Sequence, residues 1–146
     1  MIKNISNLGD AALYCDFGIE VNKKINSEVI KYFKTIKETN IKGITNLTPS
    51  YNKLIISFDL NVTNYKEIKD KIEKLNVGET LKSKNKQIEI PVCSDPSFSL
   101  DMERLKNKLN LTKDKILDNF FNKEYFCYMT GFIAGMPFLG DLDENM

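Results

Sequence analysis

The chain has 146 residues, of which 42% are hydrophobic, and its 21 basic and 20 acidic side chains give a formal net charge of +1. This length suits one ordinary domain or two small ones, and the balanced charge argues against a nucleic-acid or anionic-membrane partner. All the basic residues except Arg104 are lysines, so bidentate phosphate recognition by arginine is nearly excluded. The absence of histidine excludes Ser/His and Cys/His nucleophilic pairs within the chain and most catalytic zinc sites.

The three cysteines are odd in number, widely spaced and form no CxxC motif; they are Cys15, Cys93 and Cys127. This usage is typical of reduced thiols in a cytoplasmic protein and not of a disulfide framework or metal cluster. The N-terminal residues lack the apolar stretch of a signal peptide, and no apolar run reaches the roughly 18 residues of a membrane span. We therefore predict a cytoplasmic protein with no metal site and no membrane contact.

In residues 1–85, period-2 alternation and helical apolar stripes predict alternating strands and helices. The predicted order is a strand over 11–17, a helix over 22–39, strands over 41–48 and 53–59, a helix capped by Asn64 with Glu67 at the capping-box position, and a final strand. This βαββαβ order is that of a ferredoxin-like domain.

A charged segment around residues 82–86 predicts a domain boundary between 1–85 and 86–146. The second part predicts a strand over 87–93, a helix over 99–109, a helix capped by Thr112, and a strand over 124–130. Pro91 lies in the first of these strands and cannot donate to a ladder, so we expect an edge or a strand end there.

A glycine-rich apolar segment, residues 131–140, follows the last predicted strand. It contains Gly131, Phe132, Gly135, Pro137 and Gly140. Glycines at this spacing allow positive φ and close approach to a ligand or a strand, but the segment is neither a P-loop nor a dinucleotide fingerprint. From the residues alone, the segment could be either a ligand site or a tight inter-strand turn, and the turn is favoured.

A second candidate is Cys93 with Asp95, a thiol and a carboxylate at the end of the predicted strand that contains Pro91. They could serve as nucleophile and acid. However, the chain has no histidine, and the nearest preceding lysine is Lys86, so nothing near in sequence would activate the thiol. A strand end followed by an aspartate turn is the favoured interpretation.

Four segments nevertheless resemble one known family, and they occur in the family's order. They are 9–13 with Phe17-Gly18, 49–54, 90–93 with Asp95, and 125–140 with its GFxxGxPxLG motif. The chain is similar to the family of the 5-oxoprolinase B-type subunit, allophanate hydrolase subunit 1 and the kinase inhibitor KipI, which carries carboxyltransferase subdomains C and D. It departs from the family at Ala134 and Met136, where Pro and Phe are usual, and at Phe120, where a His is common.

The resemblance implies an α+β fold: a ferredoxin-like domain followed by a cyclophilin-like β-barrel that stays incomplete, because the family continues beyond the last residue here. It implies a subunit of an ATP-dependent 5-oxoprolinase that uses ATP and acts with a homologous larger subunit, in some cases with a third lactam-utilisation protein. The alternatives are a KipI-like inhibitor of a sensor histidine kinase and a subunit of the allophanate hydrolase or urea carboxylase type. By resemblance, the glycine-rich residues bind substrate or partner, with Pro91, Cys93 and Asp95 nearby. Catalytic residues stay unassigned.

Overall fold

The computed structural model describes residues 1–78 and 86–146. Of these, 1–78 and 128–138 form one compact unit, and 86–127 and 139–146 form the other. The predicted boundary between residues 85 and 86 adjoins residues that lie outside this description, so its position stays a prediction.

Ten regular elements follow one another along the described chain. They are β1 (Asn4–Asn7), β2 (Ala12–Asp16), α1 (Lys23–Thr39), β3 (Ile44–Pro49), β4 (Lys53–Phe58), α2 (Tyr65–Glu73), α3 (Met102–Leu109), α4 (Lys113–Phe121), β5 (Phe126–Thr130) and β6 (Pro137–Gly140). The first four strands form one antiparallel sheet in the order β1-β2-β4-β3, and β5 pairs with β6. The mixed α/β class is confirmed, and within the described residues no closed barrel forms.

The core of the first unit lies between its sheet and the two helices α1 and α2. Alternate residues of β2 and β4 face inward, and the paired Leu13 and Ile56 are fully buried. Val29 of α1 and Ile68 of α2 belong to the same buried cluster. The predicted alternation and helical stripes therefore place the right side chains in the core.

Sequence patterning misses strand β1 at the edge of the first unit's sheet, and it also misses β6, whose residues it includes in the glycine-rich segment. Ile5 is the single buried residue of β1, so no alternation identifies the strand. It pairs with β2 at the sheet edge, and the Tyr65 hydroxyl of α2 donates to the Ile5 carbonyl at 3.3 Å. The described order is thus ββαββα. The strand predicted after α2 falls largely on residues outside the described part.

The helix caps agree with prediction. The Asn64 side chain accepts from the Glu67 backbone N–H at 3.1 Å and donates to the Glu67 carboxylate at 2.9 Å. At the start of α4, Thr112 accepts from the Lys115 N–H at 3.3 Å. Each cap satisfies an N–H that the helix itself leaves without a partner.

The strand predicted over residues 87–93 is wrong. This segment has no regular secondary structure, and its alternating Ile88, Ile90 and Val92 are 66%, 59% and 55% exposed. The N–H and C=O groups of a strand need a neighbouring strand as hydrogen-bond partner. No strand of the described residues pairs with this segment, and Pro91 has no N–H to donate.

Candidate functional site

The glycine-rich segment forms the turn of the β5–β6 hairpin. The Gly131 N–H donates to the Met136 carbonyl at 3.1 Å, the Ile133 N–H donates to the Gly131 carbonyl at 2.8 Å, and the Met136 N–H donates to the Ile133 carbonyl at 3.2 Å. Pro137 begins β6, and Gly140 ends it. The favoured interpretation, an inter-strand turn, is therefore confirmed for residues 131–136, which we call the Gly-rich turn.

Two residues of the Gly-rich turn have positive φ, and only one of them is a glycine. Gly135 lies at φ 81°, as expected, but Phe132 lies at φ 66° although its side chain disfavours that region. The left-handed conformation costs a non-glycine residue about 1–2 kcal/mol. Phe132 is also 90% exposed, so no burial of its ring offsets that cost. Strained, exposed residues of this kind concentrate at functional sites.

Three backbone N–H groups of the Gly-rich turn, those of Phe132, Ala134 and Gly135, donate no hydrogen bond within residues 1–78 and 86–146. All three residues are exposed. Exposed backbone N–H groups without an acceptor in the protein can donate to a carboxylate or an oxyanion. The turn therefore offers the donors that anion binding needs.

The hairpin is held by the turn between β3 and β4. Tyr51 of that turn packs against Tyr128 of β5 and Phe138 of β6, with ring centroids 5.3 Å and 6.3 Å apart. Ser50 Oγ lies 3.4 Å from Met129 Sδ. One turn of the first unit thus contacts both strands that carry the Gly-rich turn.

Asn26 of α1 is a site-supporting residue that sequence patterning does not identify. Its side-chain amide donates to the backbone carbonyls of Ser50, Tyr51 and Tyr128 at 3.1, 3.0 and 3.1 Å. It is 2% exposed and follows Ile25 on the apolar face of the helix. A polar residue in an apolar stripe is the sequence signal that could have identified it.

A charged cluster fixes the segment between β2 and α1 against the start of β4. Lys53 Nζ donates to Asp16 Oδ1 at 2.5 Å and to the Gly18 carbonyl at 2.7 Å, and the Gly18 N–H donates to the same Asp16 oxygen at 2.7 Å. The hydrogen bond from Lys53 lowers the pKa of Asp16, against a smaller opposing effect of burial. Asn52 adds a bond to the Gly18 carbonyl at 2.9 Å. These contacts indicate that the two segments that resemble the family, Phe17-Gly18 and 49–54, have a structural role.

The second candidate segment lies in the other unit, where Pro91, Cys93 and Asp95 are all exposed. Asp95 Oδ1 accepts from the Ser97 N–H at 2.9 Å and from its hydroxyl at 2.5 Å. These two bonds lower the pKa of Asp95, the side-chain bond most strongly. Within the described residues the Cys93 thiol has no hydrogen-bond partner. The aspartate turn is confirmed, and the proximity of these residues to the Gly-rich turn stays a prediction.

Two shallow depressions of about 300 and 450 Å³ lie elsewhere in the first unit. The larger is lined by residues of α2 and of the α1–β3 segment, such as Lys42, Lys71 and Lys74, and the smaller by residues of α1 and β3. Neither is lined by the Gly-rich turn. None of the helices in residues 1–78 and 86–146 combines the length and hydropathy needed to span a membrane.

Comparison with known proteins supports the predicted resemblance. The chain is 29% identical to the B-type subunit of 5-oxoprolinase from Bacillus subtilis (strain 168) over 155 aligned positions, covering 97% of this chain and 64% of that protein. Crystal structures of TTHA0988 in two space groups match its fold with TM-scores of 0.77 and 0.72 at 20% identity. They cover 93% and 92% of this chain but only 27% and 25% of that protein.

The chain therefore spans less than two thirds of the length of these relatives. The sequence model of one family, the carboxyltransferase domain, subdomain C and D, matches residues 3–146. Because this match covers nearly all of the sequence, the chain belongs to the carboxyltransferase domain family of subdomains C and D.

Proposed function

We propose that the chain is part of a subunit of an ATP-dependent 5-oxoprolinase, which opens 5-oxoproline to glutamate together with a homologous partner subunit. The observation that carries this proposal is the similarity to the B-type subunit of 5-oxoprolinase over 97% of the chain, in which the Gly-rich turn offers three N–H groups without intramolecular acceptors. The substrate has a carboxylate and a lactam carbonyl, and both need such donors.

The role of this chain is to bind and orient. The N–H groups of Phe132, Ala134 and Gly135 hold either the substrate carboxylate or the oxygen on which negative charge develops as the ring opens. Removing one donor of this kind from a preorganised site costs on the order of 10²–10³ in turnover. No described side chain is assigned as general acid or base.

The Gly-rich turn does not have the features of a phosphate-binding loop for ATP. It lacks the lysine and hydroxyl that follow a phosphate-binding loop, and neither depression described above includes it. We therefore infer that ATP, which would supply the free energy for opening the amide, is bound with or by the partner subunits.

A substitution at Gly135 tests the proposal in the complex of the full-length gene product with its partners. A Cβ at Gly135 meets no atom within 4 Å, but φ is +81°, so Gly135→Ala perturbs the backbone and its N–H without a clash. We expect the rate of 5-oxoproline-dependent ATP hydrolysis to fall at least about tenfold. This is a smaller decrease than the one expected for losing a complete hydrogen-bond donor. Gly78→Ala, at an equally open position without positive φ, should leave the rate unchanged. Equal rates for the two variants would remove the Gly-rich turn from the mechanism.

A second candidate is inhibition of a sensor histidine kinase, and the exposed apolar side chains of the Gly-rich turn favour it. Phe132 and Ile133 are 90% and 62% exposed, and exposed apolar patches are typical of protein-binding surfaces. This function needs no substrate. Phe132→Ser should abolish kinase binding, because it removes the exposed ring. The same variant should retain oxoprolinase activity, because the backbone N–H at residue 132 remains.

A further inference from the structure

Asn26 is the most buried polar side chain in the described residues, and its amide hydrogens are directed to backbone carbonyls. It lies in the first turns of α1 and is 2% exposed. Burying a carboxamide without hydrogen bonds costs several kcal/mol, on the order of 2–7 kcal/mol depending on the reference medium. The acceptors around it are therefore part of what keeps the side chain in place.

The Asn26 amide joins two parts of the chain that are distant in sequence. Its two hydrogens are shared among three acceptors at 3.0–3.1 Å: the carbonyls of Ser50 and Tyr51, and that of Tyr128, which lies 102 residues from Asn26. Tyr128 is the middle residue of β5, three positions before Gly131. In the described residues β5 has one neighbouring strand, β6, so the bond from Asn26 comes from outside the hairpin.

The apolar contacts act on the same hairpin but fix it less specifically. The ring of Tyr51 packs against Tyr128 and Phe138, contacts that tolerate sliding of one ring over another. A hydrogen bond has a narrow range of distance and angle. The three bonds of Asn26 are therefore suited to fix the register of β5 against the turn formed by Ser50 and Tyr51.

We propose that Asn26 is a positioning residue for the Gly-rich turn: it holds β5 on the 50–51 turn through the Tyr128 carbonyl, and it does not touch substrate. The inference rests on the proposed function only for what the Gly-rich turn binds. The fixing of the hairpin concerns this chain alone and is tested without substrate, ATP or partner.

Hydrogen exchange of the full chain tests the fixing of the hairpin. Asn26→Leu keeps the number of side-chain heavy atoms and removes both donors. We therefore expect the hydrogen-bonded amides within residues 128–138 to exchange at least about fivefold faster, since one lost hydrogen bond is worth about 1 kcal/mol or more. Amides of β2 and β4 should keep their protection. Asn107→Leu, at an exposed helical position, is the matched control and should change neither region. Unchanged exchange at 128–138, or an equal rise in all strands, would overturn the proposal.

A second variant keeps the test decisive if Asn26→Leu does not fold. Asn26→Asp places a carboxylate against three carbonyl oxygens, and its protonation at acid pH restores one donor. Protection of 128–138, corrected for the intrinsic pH dependence of exchange, should therefore recover as pH falls. Failure of both variants to fold, without recovery in acid, would assign Asn26 a general structural role and overturn the proposal.

Steady-state kinetics of the active complex distinguish a failure of this inference from a failure of the proposed function. In it, Asn26→Asp should raise the KM for 5-oxoproline at neutral pH at least about tenfold, with a smaller change in kcat, because a displaced Gly-rich turn weakens binding. An increase in exchange without any change in KM would refute the link to substrate. A wild-type complex without activity would refute the proposed function and leave the exchange result standing.

Discussion

Replacing Lys53 with methionine removes the cation that joins β4 to the segment between β2 and α1. The Lys53 and Asp16 side chains are 20% and 31% exposed, so their pair is neither fully solvated nor fully buried. Hydrogen bonds to charged groups contribute about 1.5–3 kcal/mol, while exposed ion pairs contribute about 0–1 kcal/mol. We therefore expect Lys53→Met to lower the free energy of unfolding by about 1–2 kcal/mol, between these two ranges.

Urea denaturation as a function of pH tests the origin of this loss. The pKa of Asp16 is lowered in the folded protein, first by the hydrogen bond from Lys53. A lowered carboxyl pKa stabilises the fold at pH values above the unfolded pKa of about 3.9, and this contribution disappears as pH falls through the folded pKa. The difference between wild type and Lys53→Met should thus be full near pH 7 and shrink below about pH 4.

The matched variant is Asp16→Asn, which removes the charge but keeps the size of the side chain. In a double-mutant cycle with Lys53→Met, the two losses should be strongly non-additive, with a coupling of about 1 kcal/mol, as for side chains in direct contact. Additive losses, or a difference between wild type and Lys53→Met that stays constant from pH 7 to pH 3, would refute the assigned role of this pair.

Two further predictions concern packing in the first unit. At Gly43, φ is +95° and a new Cβ would lie 2.5 Å from Thr63 Cγ2, whereas at Gly9, φ is +63° and the space is open. In urea denaturation, Gly43→Ala should therefore lower the free energy of unfolding by about 1–3 kcal/mol more than Gly9→Ala does. Equal losses for the two variants would contradict the close contact at Gly43. Burial raises the pKa of the Cys15 thiol to about 12. A thiol reagent at pH 8 should therefore modify the two exposed cysteines of the native chain at once and Cys15 only after unfolding. Rapid modification of all three cysteines would contradict the burial of Cys15.

Features that depend on short sequence distances can be predicted well. Asn64 and Glu67 are three residues apart both in the sequence and in the cap they form, so the local pattern contains the whole interaction. The alternation around Leu13 and Leu54 likewise identifies which face of each strand is buried, because side chains of a strand alternate regardless of its neighbours.

Features that depend on distant partners cannot be predicted in this way. The alternation of residues 87–93 resembles that of a strand, but pairing requires a neighbour that the local pattern does not specify. For the same reason the apolar stripe of α1 does not single out Asn26, whose hydrogen-bond partner Tyr128 lies 102 residues away. In the Gly-rich turn, glycine composition allows positive φ at Gly131 and Gly135, but the structure has it at Gly135 and Phe132 and not at Gly131.

The measurement that tests the central claim most directly is the stoichiometry of ATP hydrolysis by the full-length gene product purified with its homologous partner and the third lactam-utilisation protein. We predict that ADP and glutamate form in equal amounts and only when 5-oxoproline, ATP and all the partner proteins are present, with allophanate unable to replace 5-oxoproline. A complete, correctly assembled complex that hydrolyses no ATP in response to 5-oxoproline, or that responds to allophanate instead, would contradict the account.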